Sequence, residues 1–532
     1  MRIIFIIIFL LFFTETYCQN NTGLGWVIGE YGEFLTFKND TSKPIISRIQ
    51  PTWPSFLNSI IVNKGHTCIN DSANGNLMFM ASDMQIRDRN GAIMLNGDTL
   101  IHSSYYSFNA YPIGIPNQGS IALPKGSNGE YYVFSSTMSD SLYNLQYNIG
   151  TGRYIYDEVL YAVVDMKLNN GLGAVTSKRN YLIKNAELNR TQLFACRHAN
   201  GYDWWLIKQA IDSAVFYKFL IKADTIEGPF IQHDLYDKLI SHETGQGQLA
   251  FNSNGTQMAS INSWRVNPFS FCDSAKLVLT DFNRCSGLFS NLKVINMPRG
   301  WSRVALHNNN CSDSLGDNSA MGVCFSPNNR FIYTLSGHHL YQFDTQEPNQ
   351  SLQWLEIANA LQDTSMWFSD WGTLNLGPDG RIYIGNWGGS AYTMSCITKP
   401  NLKGAACSFI DTFITSTHPY WSYPNNYATL NAPPNMANYN MGALPSACWP
   451  SSTTQLNYQT TELYIYPNPS NSKVIIDIGE LNKNNICITN TAGQVLYNQL
   501  PKTAKISIDV SKWASGVYFV RYGNIVKMLA VE

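Results

Sequence analysis

Nine histidines are the first residues to weigh for chemistry, and their spacing assembles no metal site. His66, His102, His198, His233, His242, His307, His338, His339 and His418 form neither a His-x-x-x-His nor a His-Glu-x-x-His set. Adjacent His338 and His339 would face opposite sides of a strand. His198 and Asp203, flanking Asn200-Gly201, are candidates to line a channel, with a hydrogen-bonded turn histidine as the commoner role. Gly245-Gln-Gly247-Gln-Leu-Ala250 imitates half a dinucleotide loop but opens a strand-forming run, so it reads as a turn. Asp313-Ser-Leu-Gly-Asp317-Asn-Ser319 has the composition of a calcium loop without its alternating oxygen ligands and distal Glu. A Gly-x-Ser-x-Gly elbow, a phosphate loop and a Cys-x-x-Cys pair are all missing from the sequence, and neither cofactor nor metal is expected. Paired carboxylates for glycoside chemistry must lie about 5–10 Å apart, a distance that separate segments of one fold can set and a sequence cannot.

Aromatic residues are the better lead. Trp204-Trp205, Trp367, Trp371, Trp387 and Tyr420-Trp421-Ser-Tyr423 are the ones that stand out. Exposed Trp and Tyr offer flat area with a polar edge, which suits sugars or protein partners. We single out Trp204, Trp367, Trp371, Trp387 and Trp421 as candidate ligand aromatics. The competing role is core packing, and a Trp-Trp pair on a strand puts one ring on each face.

The elements that would position these residues are short and repeated. A turn of Asn-Gly or Asp-Gly followed by strand formers recurs at Gly75, Gly129, Gly201, Gly255 and Gly380, with Asn328-Asn329 as a variant and Gly32 as a weaker first copy. Such turns need residues that accept positive φ. Six steps from Gly32 to Gly380 average about 58 residues, a length for four short strands plus loops. The expectation is an all-β chain: a seven-bladed β-propeller over 22–450, a polar linker at 451–462, and a small antiparallel β-sandwich at 463–532. An array of sandwiches or two smaller barrels is the alternative. The hairpins resemble those of WD-repeat-like propellers without their Gly-His and Trp-Asp pairs. Tyr131-Tyr-Val-Phe134, Asp203-Trp-Trp-Leu206, Asp281-Phe-Asn-Arg-Cys285 and Tyr341-Gln-Phe-Asp344 resemble phrases of an uncharacterised family of secreted propellers.

The last seventy or so residues alternate apolar and polar positions at Val474, Ile476, Ile478 and at Ile506, Ile508, Val510, as half-buried strands do. Tyr466-Pro467-Asn468-Pro469, Gly493-Gln-Val495, Gly516-Val-Tyr518 and the terminal run from Lys527 to Glu532 resemble the C-terminal sorting domain that Bacteroidetes-type bacteria use for type IX secretion. Ala530 and Trp513 depart mildly from that pattern. The resemblance implies export to the cell surface or medium through the periplasm, the type IX machinery as a partner, and removal of the tail afterwards.

At the other end, Met1-Arg2, an apolar run from Ile3 to Phe13, and small residues at Thr16 and Cys18 read as a secretory signal over 1–18. The run is too short to span a membrane, and no later one is long enough, so no transmembrane segment is expected in the mature protein. With 14% charged residues and a net charge of −1, the sequence makes no electrostatic case for nucleic acid or an anionic membrane. Eleven cysteines, spaced 13 apart at Cys272/Cys285 and Cys311/Cys324 and 11 apart at Cys396/Cys407, suit one to three disulfides between neighbouring strands. Two functions are therefore carried forward: an exported binding or adhesion module for a protein or glycan, and an extracellular polysaccharide hydrolase or lyase with acids from several blades.

Overall fold

The computed structural model describes residues 21–29, 32–38, 42–49, 65–82, 85–101, 118–149, 155–211, 215–233, 247–265, 273–298, 322–336, 339–359, 371–386, 393–416, 430, 432–444, 448, 463–479, 485–491, 494–522 and 525–532. The chain divides into two compact units, Met1–Trp449 and Pro450–Glu532. Its regular structure is almost entirely β.

The first unit contains seven antiparallel meanders among the described residues. Their first strands are Gly25–Ile28, Thr67–Asn70, Ser120–Lys125, Leu188–Arg197, Leu249–Phe251, Val323–Phe325 and Trp371–Leu376. Each of the last five sheets has four strands, and the first two have three. All seven repeated turns fall in the same place, between the first and second strand of a sheet. Gly32, Gly75, Gly129, Gly201, Gly255, Asn329 and Gly380 all have positive φ, between 62° and 81°. That shared backbone conformation is the physical reason for the Asn-Gly phrase.

Each sheet packs on the next through its own apolar layer. Val27 meets Cys68 and Met80 between the first two sheets, and Phe79 and Ile86 join Ile121 and Phe134 toward the third. Trp205 and Phe216 meet Met258 and Phe282 between the fourth and fifth. Ile261 and Leu277 meet Val323 and Ile332, and Phe331 and Tyr333 meet Leu374 and Ile384. The ring closes where Trp26, Leu35 and Phe37 of the first sheet pack on Tyr383, Met394 and Phe413 of the seventh. A sheet covered on both faces buries consecutive residues, so Trp204–Ala210 and Phe331–Ser336 are buried throughout. An α-helix, Asp140–Ile149, is inserted in the third sheet; Ser139 Oγ accepts from Leu142 N–H at 3.2 Å and is itself held by Asp157.

In the second unit, a three-stranded sheet (Tyr464–Tyr466, Lys473–Asp477, Lys505–Asp509) and a four-stranded sheet (Val495–Gln499, Ile486–Asn490, Gly516–Tyr522, Ile525–Val531) share one core. Val474, Ile476, Ile478, Ile508 and Val510 from one side meet Ile486, Ile488, Val520 and Leu529 from the other. The alternation read from the sequence is the inward face of these strands.

The disulfide pattern differs from the spacing argument. Cys285 bonds to Cys448, 163 residues away, rather than to a cysteine on the neighbouring strand. Cys396 and Cys407 are both buried free thiols, as are Cys68, Cys196 and Cys324. They serve as small apolar residues. Cys272 and Cys311 lie outside the described residues.

Candidate functional site

A closed ring of sheets leaves the outer edge of each first strand facing the ring axis, with main-chain N–H and C=O groups that need partners. Three buried amides meet much of that need. Gln118, just before the third sheet, accepts from Leu249 N–H at 2.8 Å and donates to Leu249 O at 2.7 Å. Gln248, just before the fifth, donates to Leu374 O at 2.7 Å and accepts from Leu374 N–H and Val323 N–H, both at 3.0 Å. Each glutamine thus reaches past one sheet to the next but one. Gly247 precedes Gln248 with φ 142°, and a Cβ there would lie 2.1 Å from Ile261 O. Gly247 and Gln248 lead directly into the strand Leu249–Phe251, while Gly245 and Gln246 lie outside the described residues.

The third amide belongs to a segment that the sequence reading passed over. Residues 432–444 run without strand or helix along the axis. Asn435 donates to Ser120 O at 2.8 Å and Leu193 O at 2.9 Å, while its own N–H donates to His66 O at 2.8 Å. Tyr439 donates its hydroxyl to Ala122 O at 2.8 Å, and its ring meets Trp204 edge-on at 5.7 Å. Asn375 of the seventh sheet donates to Pro434 O at 3.0 Å. A single stretch touching first strands of the second, third, fourth and seventh sheets must lie at the centre of the ring. Arg284 holds its far end, donating to Gly442 O at 2.6 Å and Arg197 O at 2.7 Å, and the Cys285–Cys448 bond follows.

This plug bonds to main-chain groups of the second, third and fourth sheets. On the other side it leaves a cavity of 320 Å³ against the first strands of the fifth, sixth and seventh. Its wall combines main chain with Asn252, Asn375, Asn438 and Asn440 and with apolar Phe251 and Met436. Burial drives the thiol of Cys324 up to about 12 and the phenol of Tyr439 well above its ordinary value, so both wall groups are neutral at pH 7.

The candidate aromatics fare unevenly. Trp204 is 1% exposed, with the Arg197 guanidinium 4.5 Å from its ring centre, and Trp371 is 7% exposed against Phe409. Both are packing residues within this chain, because adjacent sheets cover both sides of their strands. Trp367, Trp387 and Trp421 lie outside the described residues. His198 does not face the channel: Nε2 donates to Cys285 O at 3.0 Å and Nδ1 accepts from Asn200 N–H at 3.1 Å. Asp203 accepts from Asn200 Nδ2 at 2.8 Å in the same turn. His198 also lies with the sulfurs of Cys285 and Cys448, but those sulfurs bond to each other. His339 pairs with Glu356 at 2.9 Å.

In the second unit, Asn468 donates to Met528 O and accepts from Ala530 N–H, both at 2.8 Å. Ser470 N–H donates to Ala530 O, and Glu532 N–H donates back to Ser470 O. The Tyr466–Pro469 motif is thereby tied to the final strand, which carries Lys527. Tyr518 is buried, donates to Ala514 O at 2.7 Å and packs on Trp513. Val495 is exposed and Gly516 is extended; Gly493 lies outside the described residues.

Comparison with known proteins covers both units. No curated protein matches the chain significantly. Among solved structures, PorZ, a surface component of the type IX secretion system of Porphyromonas gingivalis, aligns at 9% identity over 94% of this chain and 73% of its own, with a TM-score of 0.30. A Lactobacillus plantarum protein aligns at 10% over 84% and 98%, with a TM-score of 0.33. A Fusarium graminearum α-L-arabinofuranosidase aligns at 10% over 69% and 88%, with a TM-score of 0.34. No helix among the described residues is long and apolar enough to cross a membrane. Residues 464–529 match the family described as the secretion system C-terminal sorting domain, which marks this chain for export to the cell surface or the medium.

Proposed function

We propose that the first unit is a seven-bladed β-propeller, that the second is a β-sandwich sorting domain, and that the propeller is a binding or adhesion module for an extracellular protein or glycan. Seven sheets packed in a closed series support the first statement, and two sheets over one core support the second. The binding role rests on one observation: the axial cavity is walled by amides, main-chain groups and apolar side chains. Such a wall recognises a ligand by hydrogen bonds and contact area. A polysaccharide hydrolase or lyase would instead place an acid and a base, or a metal, around the scissile bond.

We assign Tyr466, Pro467, Asn468, Pro469, Gly493, Val495, Gly516, Tyr518, Lys527 and Glu532 as the sorting determinants read by the secretion machinery. Glycan-array screening of the mature protein, with capture of purified extracellular proteins alongside, tests the binding role. Saturable binding without release of reducing ends from polysaccharide is expected. Turnover of a polysaccharide would favour the enzyme, and binding to neither class would overturn the reading.

A further inference from the structure

We propose that the axial cavity binds a short neutral saccharide, one or two sugar units long, held by main-chain groups of three strands and by amides of the plug. The proposal deepens the binding-module reading and rests on it.

Strand alternation fixes which main-chain groups face the cavity. Leu249, Val323 and Leu374 present theirs to the glutamine amides and therefore toward the axis. Three residues further along, the bonds run the other way, into the second strands: Asn252 N–H to Gln257 O at 3.0 Å, Ser326 N–H to Phe331 O at 2.8 Å, and Gly377 N–H to Arg381 O at 2.8 Å. Antiparallel pairing alternates residue by residue. Phe251, Phe325 and Leu376 consequently turn N–H and C=O back toward the axis, and all three line the cavity. Gln118 and Gln248 demonstrate what such an edge accepts: a compact group offering a donor and an acceptor together.

Main-chain groups from three different strands converge on one space: the Phe251 pair, Phe325 N–H and Leu376 C=O, with the Cys324 thiol already seated on Phe325 O at 3.5 Å and against Leu376 N–H. An extended peptide augments a single edge along its length. A sugar ring carries hydroxyls, each both donor and acceptor, around its whole rim, and it fits convergence of this kind. Met436 and Met441 give the C–H faces of the ring an apolar surface. With no charged side chain among the described wall residues, an ionised sugar would lose hydration there without gaining a counter-charge. At 320 Å³ the cavity sits at the small end of ligand sites, which suits one or two sugar units.

The test is saturation-transfer NMR and titration calorimetry of the mature exported chain with N-acetylglucosamine, galactose, their disaccharides and galacturonate. At least one neutral sugar should bind saturably, and at least tenfold more tightly than its acidic counterpart. Asn440 is exposed on the cavity wall, and it is its main-chain N–H that bonds locally, to Asn438 Oδ1 at 3.1 Å. Asn440→Trp should therefore weaken binding at least tenfold while leaving Tm unchanged. Glycan or protein binding that Asn440→Trp does not touch would overturn the cavity assignment while the binding-module reading stands. A peptide displaced by Asn440→Trp, with no sugar bound, would overturn the saccharide. Failure of every ligand class would overturn both.

Discussion

Replacing Gln248 by Leu isolates the contribution of one amide to closing the ring. Gln248 is 3% exposed and ties the fifth sheet to the sixth and seventh. Leucine fills nearly the same volume but leaves three main-chain groups unpaired: Val323 N–H, Leu374 N–H and Leu374 C=O. A buried polar group left unpaired costs about 1–3 kcal/mol. Water can enter the adjoining cavity, so the low end applies, and the sum is about 3 kcal/mol. Unfolding entropy of about 2.1 cal/mol/K per residue gives roughly 0.9 kcal/mol/K for a 449-residue unit. The expected fall in Tm is therefore about 3 °C. Gln118→Leu orphans two groups rather than three, and should cost about 2 kcal/mol and about 2 °C by the same reasoning. Gln248→Glu, ionised at pH 7, sets a carboxylate oxygen against Leu374 O; it should fall further and recover as pH is lowered and the acid becomes a donor. Differential scanning calorimetry of the mature protein, following the ring's transition, reads all three. A shift below about 1 °C for Gln248→Leu, or a larger one for Gln118→Leu, would refute the idea that these amides act as edge partners.

Three other outcomes are expected. Cys448→Ser frees the end of the plug and opens a 163-residue loop, worth up to about 5 kcal/mol on chain-entropy grounds, which urea unfolding with and without reductant would measure. Arg330 holds the buried Asp344 carboxyl down at about 2, with Gln346 N–H and Lys403 assisting. A lowered folded-state value means stability present above pH 4 and lost as pH falls toward 2; allowing for the half-exposed arginine, wild type should lose about 1–2 kcal/mol more than Asp344→Asn across that window. A chain ending at Ser451 should fold its ring and remain in the periplasm, and its appearance in the medium would contradict the sorting role of the tail.

The sequence was legible where one backbone conformation demanded particular residues. Positive φ at seven turns favours Gly or Asn, and all seven turn positions carry one of them, so the period of the repeat and its β character were readable. The tail was readable for a related reason: alternation at Val474, Ile476 and Ile478 maps directly onto one buried face. The plug was not readable. Ala432-Pro-Pro-Asn-Met-Ala-Asn-Tyr-Asn-Met441 has no period, because its partners are main-chain groups of strands hundreds of residues away. The disulfide was missed for the same reason, since Cys448 is placed by the plug and not by a hairpin. Trp204 and Trp371 looked like ligand aromatics because composition cannot tell a sheet with one solvated face from a sheet covered on both.

A common device links the two units. A ring of sheets and an open sheet both end in strand edges, and both here are closed by side-chain amides that imitate a missing strand. In the ring, Gln118, Gln248 and Asn435 do this where a real strand would have no room. In the tail, Pro467 and Pro469 have no N–H to give, so the segment between them cannot pair as a strand. Asn468 supplies both halves of the bond from its side chain, to Met528 O and from Ala530 N–H, on the edge strand Ile525–Val531. The prolines limit main-chain pairing to the single parallel bridge of Ser470 with Val531, and the asparagine keeps the edge beside it occupied. An edge so protected resists pairing with other chains, a property that an exported protein needs before it reaches its destination.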